Sequence, residues 1–145
     1  MNCFSSLHRV IKEEDNAFRD HCSERSGGST RGTRQIPDIS AVAFDLAVYF
    51  QGQWGAVGGT SAAAPMWAAG LALVNEGLIK QLGKFAYSPQ VFYLADDSNN
   101  GMNAYYDVTS GNNLYYPATP GWDYTTGLGT PNLANFYTAI SNKIR

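Results

Sequence analysis

The residues best placed to do chemistry are Gly58-Gly59-Thr60-Ser61-Ala62-Ala63-Ala64-Pro65. Two glycines let the backbone turn at close quarters, and a serine follows where a helical pattern begins, with only small side chains beside it and Pro65 confined to the first turn. Such a turn exposes a hydroxyl and aims backbone N–H groups at its surroundings. A helix N-terminus favours developing negative charge, which is what an attacking serine and a tetrahedral intermediate carry. Ser61 is the candidate nucleophile. The competing reading is that Ser61 only caps the helix, a frequent use of serine. No imidazole or thiol in the body of the chain can serve it, because His8, His21, Cys3 and Cys22 all fall among the first 34 residues.

The elements that must position this segment are legible in the apolar pattern. The chain has 145 residues, 44% hydrophobic and 15% charged, which is one domain's worth of material with enough apolar side chain for a core. The first 34 residues hold eleven of its 22 charged side chains, so residues 1–33 read as a polar segment and 34–145 as the folded body. Lys12 to Glu24 is a polar, helix-compatible stretch and Ser26 to Thr33 a glycine-rich linker. Ile39 to Phe44 is a short apolar run of the buried-strand kind, and Val48 to Val57 folds as a hairpin about Gln51-Gly52-Gln53. From Ser61, apolar residues recur at three- and four-residue steps to Leu78, with Gly83 as the stop. Ser88-Pro89 opens a short helix through Val91, Phe92 and Leu94, and Asn132 to Ile144 is helical again.

Composition excludes two classes of partner. A formal net charge of −2 with no basic run argues against nucleic acid, which is gripped by clustered Lys and Arg. The longest apolar stretch, Ala62 to Val74, is interrupted by Pro65 and Gly70 and is too short for a bilayer, so no membrane partner is expected. Met1 to Val10 lacks the apolar core of a secretory signal.

Residues 96 to 131 form a long loop rich in Gly, Asn, Asp and Tyr. Loops beyond about 15 residues are uncommon in a compact domain. The aromatic content, with Tyr105, Tyr106, Tyr115, Tyr116, Trp122 and Tyr124, favours an ordered loop, and a bound cation is one candidate for what holds it. An aromatic surface for sugars is a further reading of the same residues.

Four landmarks stand in one order: Arg34-Gln35-Ile36-Pro37-Asp38-Ile39-Ser40-Ala41, the Gly-Gly-Thr-Ser segment, Asp107-Val108-Thr109-Ser110-Gly111-Asn112-Asn113, and Gly121-Trp122-Asp123-Tyr124-Thr125-Thr126-Gly127-Leu128-Gly129-Thr130-Pro131. Together they resemble the C-terminal part of the catalytic domain of the sedolisins, the serine-carboxyl peptidases, over roughly residues 34 to 140. The resemblance implies an α/β, partial subtilisin-like fold: short parallel strands and a hairpin, a central helix starting at the serine, a long calcium-binding loop and a C-terminal helix. It implies a serine-type endopeptidase, active in acid, that cleaves protein or peptide substrates through an acyl-enzyme on Ser61.

In this family the serine is served by a Glu backed by an Asp four residues away on one helix, and a second Asp stabilises the oxyanion, all upstream of the serine. Four residues after Glu13 and Glu14 stand Ala17 and Phe18, so the dyad has no match. Glu13 to Asp20 reads as a solvated face. Asp38 belongs to a turn motif in the resemblance, so the oxyanion Asp has no match either, and the chain alone is expected to be inactive. The upstream half of such a domain is an implied partner, and a calcium-binding remnant or interaction module is the alternative. Family members are typically exported or lysosomal, which implies secretion. By resemblance the calcium ligands are the side chains of Asp107 and Asp123 and the carbonyls of Val108, Thr119 and Gly121. The plainer reading makes both aspartates turn formers. Family members carry Asp-Pro and a glycine turn where this chain has Phe44-Asp45-Leu46-Ala47-Val48, so a tightened hairpin is expected there.

Overall fold

The computed structural model describes residues 35–96 and 103–145. The polar segment 1–33, its Lys12 to Glu24 stretch and linker, and the part of the long loop from 97 to 102 lie outside the described residues.

Strands β1 (Leu46–Phe50) and β2 (Gln53–Val57) form an antiparallel hairpin in which Val48 faces Gly55 and Phe50 faces Gln53. Gln51 and Gly52 make the two-residue turn with φ of 50° and 82°. Both values lie in the left-handed region that matches strand twist in such hairpins. A 3-10 turn, Thr60–Ala62, leads into α1 (Ala63–Leu82), which Gly83 ends with φ 64° and an N–H donated to the Ile79 carbonyl. Helix α2 (Gln90–Asp96) follows. Short strands β3 (Tyr105–Tyr106) and β4 (Thr130–Pro131) pair antiparallel and bracket the loop, and α3 (Leu133–Lys143) closes the chain. Asn132 caps α3 by accepting the Asn135 N–H, as its side chain suits it to do.

The core lies where α1, α2 and α3 meet. Trp67, Gly70, Val74, Asn75 and Leu78 are the buried face of α1, and they pack with Val91, Tyr105, Phe136 and Ile140. Trp67 contacts the rings of Phe92, Tyr105 and Phe136 at centroid distances of 5.2, 6.2 and 6.0 Å. Gly70 and Gly77 admit α3: a Cβ on either would sit 2.7 Å from Leu133 or Tyr137. Asn75, the polar residue on this face, donates to the Ala86 carbonyl at 3.0 Å and accepts the Ala86 N–H at 2.8 Å, which ties the chain after Gly83 back onto the helix.

Several expectations are corrected. Ile39 to Phe44 is not a strand, and no parallel pair occurs among the described residues; both sheets are two-stranded and antiparallel. A strand is defined by the ladder it makes with a neighbour, and this segment makes isolated backbone bonds, at Ser40 and Ala43, but no ladder among the described residues. The hairpin starts two residues earlier than its apolar pattern indicates, because Asp45 with φ 59° turns the chain directly into Leu46. The α-helix proper begins at Ala63, with Ser61 in the 3-10 turn before it. The short helix begins at Gln90, just after Pro89, with Val91 N–H donated to the Ser88 carbonyl. The apolar helical run extends beyond Val74 to Leu82, so Thr60–Leu82 is long and apolar enough to cross a membrane by length and composition. Its buried face is already committed to the core described above, a use that satisfies the same pattern.

Candidate active site and metal loop

The serine stands on a strand, turn and helix in succession. Strand β2 ends at Val57, Gly58 packs on Phe44, and Gly59 adopts φ 144° and ψ 142°, a conformation that is essentially glycine's alone. Gly59 donates its N–H to the Ala43 carbonyl at 2.6 Å and accepts the Ala62 N–H at 3.0 Å. These two bonds lock the bend and present Ser61, exposed, on the first turn ahead of α1. A cap would show a serine oxygen accepting a helix N–H, and neither helical start carries a side-chain cap bond. Ser61 is thus not used to hold the helix. Ser61→Ala is expected to leave the melting temperature unchanged within about 1 °C, whereas loss of a true cap costs about 1 kcal/mol, read by thermal unfolding.

No carboxylate or imidazole hydrogen-bonds Ser61 among the described residues, so the hydroxyl has no base beside it there. Asp38 is occupied elsewhere. Its carboxylate accepts the Tyr93 hydroxyl at 2.5 Å and its carbonyl accepts the Leu128 N–H at 2.9 Å. Trp122 Nε1 donates to the Pro37 carbonyl at 2.9 Å, and Ser40 N–H donates to the Gly129 carbonyl at 3.0 Å. The Asp38 motif is therefore a clamp between the loop and the segment that leads to Ala43 and the serine turn. Trp67 Nε1 adds a bond to the Ser40 carbonyl at 2.8 Å.

Asp107 and Asp123 both reach the Thr119 to Gly121 strip. Asp107 Oδ2 accepts the Gly121 N–H at 2.7 Å, and Asp123 Oδ2 accepts the Thr119 N–H at 2.9 Å. Asp123 is 5% exposed, and its Oδ1 accepts the N–H groups of Thr125 and Thr126, both at 2.8 Å. Burial acts to raise the Asp123 pKa, but the donors from Thr119, Thr126 and Thr125 outweigh it and hold the carboxyl below its ordinary 3.8. Asp123 thus forms a turn, as the plainer reading has it, whereas Asp107 ties together two parts of the loop 14 residues apart. Among the described residues, these hydrogen bonds tie the loop together.

Neither carboxylate is paired with a cationic side chain among the described residues, where Glu76 and Lys80 form an ion pair. The donor set is all oxygen, which suits a hard cation such as Ca²⁺. Thr119 is not at positive φ, so threonine stands there without strain where the family often has glycine. Val108 is half-buried, and Thr119 and Gly121 are exposed. The residues fit calcium. No cluster of three or more His, Cys, Asp or Glu occurs among the described residues, and this site, with two carboxylates and three carbonyls, would not form one. Tyr124 packs tilted against Tyr116 at 4.7 Å and edge-on against Trp122 at 4.8 Å, so these rings pack locally and offer no support to a sugar-binding reading.

Sequence reasoning missed the contacts made at a distance: the Asp38 clamp, Asn75 on Ala86, and Trp67 on Ser40. Only Asn75 had a signal, as a polar residue in an apolar helical face.

Comparison with known proteins finds relatives in both sequence and structure. Kumamolisin from Bacillus sp. is 36% identical over 110 residues, covering 72% of this chain and 18% of that protein. Tripeptidyl-peptidase SED3 of Arthroderma otae is 37% identical over 148 aligned positions, covering 89% of this chain and 25% of its own length. Pseudomonas sedolisin, a serine-carboxyl proteinase solved with two molecules of pseudo-iodotyrostatin, superimposes with a TM-score of 0.67 at 31% identity over 90% of this chain. No protein-family model matches. The chain belongs to the sedolisin family of serine-carboxyl peptidases. It spans about a quarter or less of the two sequence relatives and 33% of the sedolisin structure.

Proposed function

We propose that this chain is the nucleophile-bearing part of a serine-type endopeptidase domain, in which Ser61 attacks a peptide carbonyl of a protein or peptide substrate. The observation that carries this reading is the exposed, uncapped Ser61 on the Gly58-Gly59 bend. In the attack, the serine oxygen bonds to the carbonyl carbon, its proton passes to a base that then hands it to the departing amine, and the acyl-enzyme left behind is hydrolysed by water. The turn ahead of α1 favours the oxyanion. A Glu and Asp dyad and an oxyanion Asp would come from upstream polypeptide, which is the implied partner of this part, and acid activity and export belong to the same reading.

Purified as it stands, the chain is expected to cleave no denatured protein at acidic or neutral pH. Grafted in place of the matching third of Pseudomonas sedolisin, residues 35–145 are expected to support cleavage that Ser61→Ala lowers at least about a thousandfold. Cleavage by the isolated chain that survives in the serine variant, or a graft indifferent to Ser61, overturns the reading.

Calcium is the second component. Asp107, Asp123 and the carbonyls of Val108, Thr119 and Gly121 would hold it, and bound there it would cross-link the loop that clamps Pro37 to Ser40. A ligand that binds only the folded state raises its stability. Calcium at a hundred times its Kd is expected to raise the melting temperature by about 8 °C, with the rise lost on chelation and in Asp107→Asn. A melting curve indifferent to calcium removes this component and leaves a turn-forming loop.

A further inference from the structure

We propose that the outer edge of β1 is a self-association site, on which a second copy of this chain adds its own β1 antiparallel to make a four-stranded sheet. The two-residue turn makes Phe50 and Gln53 a hydrogen-bonded pair, and the alternation of an antiparallel ladder then bonds Val48 to Gly55 and Leu46 to Val57. The N–H and C=O groups of Ala47 and Tyr49 consequently point away from β2, along an edge with no neighbour among the described residues. Every residue of the hairpin except half-buried Leu46 is exposed, including Tyr49, Phe50 and Trp54 at 60, 70 and 75%.

Charge favours a copy of this same surface. An edge that carries charge of one sign repels its own copy, and natural edges are commonly protected by such charges, by proline or by a bulge. From Leu46 to Val57 there is no charged residue and no proline, and the ladder register is unbroken. The formal net charge of −2 adds little long-range repulsion. A lipid surface fits less well, because it would leave the edge N–H and C=O groups without partners and finds no basic residue on the hairpin. Of the two edges, β1 reads Leu-Ala-Val-Tyr-Phe, whereas β2 has Gly55 at its centre, which weakens it as a pairing strand. A two-fold axis at Val48 sets Ala47 of each copy opposite Tyr49 of the other, so their outward groups bond in full.

The test is the solution mass of the whole chain across concentration, by light scattering and sedimentation. The expected result is a dimer at high micromolar concentration that dissociates on dilution. Ala47→Pro removes an N–H that the hairpin does not use and is expected to weaken dimerisation at least tenfold, as is Ala47→Lys, with helical circular dichroism unchanged in both. Ala56→Pro, on the β2 edge, is expected to dimerise like the parent. A chain monomeric at every concentration, a dimer indifferent to both Ala47 variants, one lost only with Ala56→Pro, or a monomer that floats with neutral phosphatidylcholine vesicles would each overturn the proposal.

Discussion

Asp123→Ala is expected to destabilise the protein by about 4 kcal/mol, a fall of roughly 12 °C in melting temperature. The magnitude follows from what the carboxylate holds. Three backbone N–H groups, of Thr119, Thr125 and Thr126, donate to it, and the residue is 5% exposed. Alanine leaves those donors unpaired where water has little access, and each unsatisfied buried group costs about 1–3 kcal/mol. Asp123→Asn keeps an oxygen for Thr125 and Thr126 but turns an NH₂ toward the Thr119 N–H, so about half the loss is expected. Chemical denaturation of both variants, without calcium, checks the ratio; equal small losses would show that the loop is held by something other than this carboxylate.

The same group sets a pH dependence. Its folded pKa lies below the unfolded value near 3.8, so its contribution is fully present above that value and is lost as pH falls through the folded pKa. The parent is expected to lose stability on acidification below about pH 4 more steeply than Asp123→Asn does.

Gly127→Ala is expected to cost about 3 kcal/mol or more, against about 1 kcal/mol for Gly83→Ala. The two glycines share a backbone conformation, with φ of 61° and 64°, so the strain of a left-handed alanine is common to both. They differ in space. At Gly83 a Cβ meets nothing within 4 Å, whereas at Gly127 it would lie 2.4 Å from the Asp38 carbonyl oxygen and 2.7 Å from that of Pro37. Backbone cannot swing aside as a flexible side chain can, so the clamp on Pro37 to Ser40 must open. Thermal melts are expected to show drops of about 10 °C and 3 °C. Equal drops would mean that the close approach is not made in solution. An opened clamp should also quench the order of the serine turn, because Ala43, which accepts the Gly59 N–H, follows directly on that segment.

Much of the site was legible in the residues themselves. The bend before Ser61 is written in Gly58-Gly59, the end of α1 in Gly83, the start of α3 in Asn132, and the hairpin in an apolar run broken at Gln51-Gly52. Each is a local matter of which φ a residue tolerates, which side chain reaches a neighbouring N–H, and the period of burial. Tertiary structure decided the rest. Ile39 to Phe44 has a strand's composition yet forms no strand, because its hydrogen-bonding partners must come from another segment. Trp122 meets Pro37 across 85 residues, and Asn75 finds Ala86 only once α1 has turned back at Gly83. Asp107 meets the Gly121 N–H, 14 residues on, because the loop closes on itself. Contacts of this kind depend on where distant chain segments come to lie in space, and no spacing along the sequence carries that information.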